Sequence, residues 1–168
     1  VGTTHEAIRE ALRESMPEFS FRNFLKNLDA MEEELRPMTG HLVRQIDPGC
    51  AANVKAEMES LSPVRRRRAV NAAGAMGIVP EIENEAIKLL SDDDHTVRVA
   101  AAKALSECKS MPSWEALRDS LLDKSFLVQE AAVQSLERIS TSLLQDLRQE
   151  QGNPEENEEP TDSEEVAP

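Results

Sequence analysis

Three stretches of the chain repeat one order of small apolar, large apolar and polar positions. RRRRAVNAA (65–73), VRVAAAKAL (97–105) and VQEAAVQSL (128–136) superpose at offsets of 32 and 31 residues. In that register Ala69, Ala101 and Ala132 coincide, as do Ala73, Leu105 and Leu136, and then Met76, Cys108 and Ile139. Spacings of i, i+4 and i+7 fall on one face of an α-helix, so each stretch predicts a helix with a single apolar stripe. Alanine in the stripe lets a neighbouring helix come close, and the larger residues fill the space between layers. Runs of β-branched and aromatic residues with period-two alternation are missing, so no strands are predicted.

The remaining half of each unit is marked by proline. Pro17, Pro48, Pro80 and Pro112 stand 31, 32 and 32 residues apart. A fixed period of this length predicts a stacked array. Proline lacks the N–H that a helix start leaves unpaired, so these positions suit the point where the chain enters a new helix. The last three are followed by apolar-patterned segments that end near Met58, Leu90 and Leu121. Each unit then reads as a first helix, a turn rich in Asp or Ser, and a second helix. One such hairpin cannot cover its own apolar faces, so the units must stack.

The expected organisation is a repeat domain over 1–149, made of a half repeat (1–16) and repeats at 17–47, 48–79, 80–111 and 112–149. An acidic tail follows at 150–168. THEAIREAL (4–12) aligns with the second-helix stretches and runs into SMP (15–17), as VRVAAAKAL runs towards SMP (110–112). The chain thus opens on a second helix whose first helix is absent, and it is expected to be the C-terminal piece of a longer array. Pro37 and Gly40 are expected to interrupt the second helix of the 17–47 unit. LERISTSLLQDLRQE (136–150) extends the last helix as a cap. Beyond Gly152 the residues are too polar to offset chain entropy, and disorder is expected.

The acidic turn, Val-Arg and alanine-rich helix of DDDHTVRVAAAKAL (92–105) resemble the HEAT-like repeats also found in phycobilin lyases. The resemblance is good over 48–140 and weaker over 17–47. It implies an all-α fold, a right-handed α-solenoid of HEAT-like helical hairpins, and a protein-binding role. It also implies that an Asp in the turn and an Arg six residues on pair between adjacent units. Asp92 and Arg98 fit. Asp123 with Gln129 keeps only the acid, and the Ser62–Arg66 turn keeps only the arginine, so the ladder is expected to be incomplete at both layers.

Composition narrows the chemistry. The net charge is −13, but residues 150–168 hold eight acids and no Lys or Arg, which leaves the body at −5. One Trp, four Phe and no Tyr offer few stacking platforms for bases. Cys50 and Cys108 lack metal-ligand, redox or disulfide-framework spacing. No stretch reads as a signal or a membrane span, and a cytoplasmic location with no membrane contact is expected. His5, His41 and His95 are scattered, DDDH (92–95) has no second ligand cluster, and Cys108 falls on the core stripe. Trp114 reads as a staple on its own repeat. No catalytic residue, cofactor or metal is expected.

The candidate site lies in SPVRRRRAV (62–70). Ser62 as N-cap and Pro63 at the first position start a helix, so four cations sit at the unfavourable end of its dipole. Arg65 and Arg66 fall on or beside the stripe and are expected to pair with Asp92, Asp93 or Asp94 of the next turn. Arg67 and Arg68 are expected to be available to a partner. Second helices line the concave side of such solenoids. Positions equivalent to Arg67, Asn71 and Gly74 are Val99, Lys103 and Ser106, then Glu130, Gln134 and Glu137. The face therefore runs from basic to acidic, which disfavours nucleic acid. The expectation is a non-catalytic scaffold holding an acidic or mixed-charge protein segment through Arg67, Arg68, Asn71 and Lys103. The alternative is a lyase or other enzyme on the same fold, with Glu130 and Glu137 as its acids. The acidic tail is a candidate to fold back on Arg67 and Arg68. Oligomeric state is not legible.

Overall fold

The computed structural model describes residues 7, 10, 11 and 15–151, with backbone alone at 18 and 151. The half repeat at 1–16, His5 and the tail from 152 onward lie outside or almost outside these residues. The described residues form eight α-helices and no strand. They are α1 (Phe21–Asn27), α2 (Leu35–Ile46), α3 (Cys50–Met58), α4 (Pro63–Met76), α5 (Glu83–Lys88), α6 (His95–Leu105), α7 (Met111–Ser120) and α8 (Phe126–Gln151). Short 3-10 turns at Pro17–Phe19, Val79–Ile82 and Leu89–Ser91 flank α1 and α5.

The helices pack as consecutive hairpins, α1 with α2, α3 with α4, α5 with α6 and α7 with α8. The second helices form a row in which α4 lies between α2 and α6, and α6 between α4 and α8. This is an all-α solenoid, and the sequence periodicity predicts the packing correctly. Ala69, Ala101 and Ala132 are buried, as are Ala73, Leu105, Met76, Cys108 and Ile139, with Leu136 half-buried beside them. Trp114 is half-buried against the same core. The periodic prolines sit at first-helix starts: Pro17 opens a 3-10 turn, Pro80 lies in another, Pro112 is the second residue of α7, and Pro48 stands just before α3.

The expectation of a broken helix in the 17–47 unit fails, for a different physical reason at each residue. Pro37 and Gly40 do not interrupt α2, which runs unbroken from Leu35 to Ile46. Pro37 lies in the first turn, where its missing N–H has no intrahelical partner to lose. Gly40 lies where α2 touches α4. A Cβ there would overlap the Ala75 carbonyl and come within 2.6 Å of its carbon. Glycine is present for contact, not for a break.

The turns repeat one hydrogen-bond plan. Asp47, Asp92 and Asp123 each accept, through Oδ1, the N–H two residues on, at 3.0, 2.9 and 2.7 Å. Ser60 Oγ plays this part for Ser62 N–H at 3.3 Å. Asp94 caps α6 by accepting from Thr96 N–H at 2.7 Å, and Ser110 caps α7 by accepting from Ser113 N–H at 3.2 Å. Ser62 precedes α4 but its hydroxyl makes no cap bond. At the other end of α4, Gly77 takes a left-handed φ of 63° and Ile78 N–H bonds back to Ala73 O at 3.1 Å, which satisfies the last carbonyls.

Candidate functional site

The site begins in the first turn of α4, where all four arginines have carboxylate partners. Arg66 forks onto Asp92, Nε to Oδ2 at 2.6 Å and Nη2 to Oδ1 at 2.8 Å, and its Nη1 donates to Ser60 O at 2.8 Å. One layer on, Arg98 does the same to Asp123 at 2.8 and 3.0 Å, with Nη1 on Asp92 O at 2.8 Å. These pairs lie inside the stack: side-chain exposure is 17% and 6% in the first, 4% and 13% in the second. Burial alone would raise the Asp92 and Asp123 carboxyls. Bonds from the guanidinium and the turn N–H outweigh it and hold both below the usual aspartate range.

The ladder corrects the expectation of missing rungs. Each rung joins the Arg of one unit to the Asp of the next. A unit with only the arginine and a unit with only the acid are therefore the two ends of an unbroken run. Gln129, in the place of Arg66 and Arg98, keeps the backbone half of the role by donating to Asp123 O at 2.6 Å.

Arg65 departs from its expected place. It is bound to Glu57 of its own hairpin, at 2.8 and 2.6 Å, not to Asp92–Asp94, and it is exposed. Arg67 and Arg68 are not unpaired, as the sequence suggested. Both reach Asp29, Arg68 Nε at 2.6 Å and Arg67 Nη2 at 3.4 Å. Asp29 is 38 residues before Arg67 in the least regular unit, and no period points to it. One carboxylate shared by two guanidiniums leaves the pair with a net positive charge.

Arg67, Asn71 and Lys103 line one depression of about 240 Å³ that crosses α4, α6 and α8. His95, Val99 and Leu127 complete its wall, and none of the residues lining it is a carboxylate. Arg68 is not among them. Sequence reading missed His95 and Leu127 because it followed one helical line, Arg67–Val99–Glu130. The groove instead steps along α6 and takes its far wall from the first turn of α8.

Glu137 borders a shallow depression with Leu121, Val133 and Leu136, and Glu130 does not contribute to it. Burial pushes the Cys108 thiol up to about 11, with Glu83 adding to the effect, which suppresses the reactive thiolate. His41 is exposed beside Gln45. Among the described residues no group of three or more His, Cys, Asp and Glu is placed to hold a metal ion. Among those residues, too, no helix is long and apolar enough to cross a membrane.

No curated protein matches the chain. A family model described as HEAT repeats matches residues 52–137. That stretch spans both Arg–Asp rungs and every residue lining the groove, and it covers just over half of the chain. The protein belongs to the HEAT-repeat family.

Proposed function

We propose that the chain is a non-catalytic interaction scaffold that holds a protein segment, acidic or mixed in charge, along its second helices. We read that row as the concave face. HEAT repeats are commonly protein-interaction scaffolds, which supports the class. The observation that carries the site is the groove itself. In a chain of net charge −13, Arg67, Asn71 and Lys103 meet on one surface whose lining holds no carboxylate. Arg68 belongs to the rim, where with Arg67 it holds Asp29. The acidic residues Glu130 and Glu137 of the last layer argue for protein over nucleic acid, whose phosphates demand basic side chains on successive layers.

The test is affinity capture from the native host with three baits: wild type, Arg67→Glu/Lys103→Glu, and Arg118→Glu. Arg118 is an exposed α7 residue paired, among the described residues, with its neighbour Asp119. A partner captured by wild type and Arg118→Glu but lost from the double variant is the expected result. Capture indifferent to the double variant would move binding off this face.

A further inference from the structure

Resting on that reading, we infer that the bound segment carries an acidic side chain about three residues from a large apolar one. The acid lies between Arg67 and Lys103, and the apolar group lies on Leu127. The groove draws its charge from α4 and α6, and its far wall on α8 is apolar. Leu127, which forms that wall, is 52% exposed. The counterparts of Leu127 one and two layers earlier are Thr96 and Val64; Val64 is exposed but does not line the groove, so the large apolar side chain at this position in the groove comes from the last layer. Large side chains left open at one end of a cationic groove mark a contact surface better than they serve the core.

Spacing follows from packing. Adjacent helices lie roughly 8–10 Å apart. An extended chain advances about 3.3 Å per residue, so crossing from the charged wall to α8 takes about three residues. Charge sets the direction. Asp29 neutralises only one of its two arginines, while Asp93 and Asp94 border the adjoining depression on the Leu127 side, where Asp94 is engaged by Thr96. Glu130 follows Leu127 within one turn of α8 and repels a second acid at that end. The occupant is a partner segment of complementary chemistry, its acid facing the cations of α4 and α6 and its apolar residue facing Leu127.

The test selects a phage-displayed random 12-residue library on the immobilised full chain. Enriched peptides are then titrated by fluorescence anisotropy against wild type, Lys103→Glu, Leu127→Ser and Arg118→Glu. The proposal expects a shared Asp or Glu about three residues from Leu, Phe or Trp. Lys103→Glu should weaken binding about tenfold or more, Leu127→Ser about tenfold, and Arg118→Glu not at all. Replacing the apolar residue of the peptide with Ser should cost no further affinity in Leu127→Ser. Peptides with acids but no apolar partner, indifferent to Leu127→Ser, would overturn this inference and leave the scaffold reading intact. Binding unaffected by Lys103→Glu would overturn both. A selection with no such pairing overturns the inference, and binding seen only after deletion of 152–168 would place the tail in the groove and overturn the partner assignment.

Discussion

At the scale of single residues, the same side-chain type does different work according to burial. Arg118 and Asp119 meet at 3.0 Å on the open surface, and such pairs contribute at most about 1 kcal/mol. Arg98 and Asp123 are enclosed between layers, where removing one partner strands the other. Asp123→Ala is predicted to destabilise the protein by about 3–5 kcal/mol, against about 0.5 kcal/mol for Arg118→Ala, as read from urea midpoints. The pH dependence has a definite sign. The folded Asp92 and Asp123 carboxyls are held below their unfolded value, so their contribution is fully present above about pH 4. It is lost as pH falls through the folded values. Urea midpoints should therefore drop below pH 4 in wild type and drop less in Asp123→Asn. A parallel fall in both would place acid sensitivity elsewhere.

At the scale of the element, sequence pattern predicted the helices of the later repeats well and the join between α2 and α4 poorly. The stripe Ala69–Ala73–Met76 and its two copies are visible because one face of each helix meets one neighbour, and that geometry forces a period. Gly40 is different. Within a helix, glycine costs about 1 kcal/mol relative to alanine, so pattern alone makes it a breaker. Its reason lies on another helix, at the Ala75 carbonyl, and no local rule carries that information. Propensity and packing therefore predict opposite signs for Gly40→Ala. Packing should win: the variant should be less stable by about 1–3 kcal/mol in chemical denaturation, despite a better helix former. A more stable variant would mean that α2 and α4 separate easily.

At the scale of the whole molecule, the ladder and the groove are two uses of the same row of second helices. Arg66 and Arg98 face inward along the turns and tie each unit to the next. Arg67 and Lys103 lie on the outer surface of that row, where the stack presents three helices at once. The repeat period, the core stripe and the Arg66–Asp92 pair were legible in the sequence because each recurs. The pairing of Arg67 and Arg68 with Asp29 was not, because Asp29 stands in the least regular unit and no period points to it. Leu127 and His95 entered the groove from helix starts, which a single helical line passes by.

The measurement that bears most directly on this account is amide hydrogen exchange of the full chain, with and without a partner segment recovered by capture or selection. Exchange is expected to slow at 67–71, 99–103 and the first turn of α8, with α3 and α7 unchanged. Protection confined to α3 and α7, with the second helices exchanging as before, would contradict it.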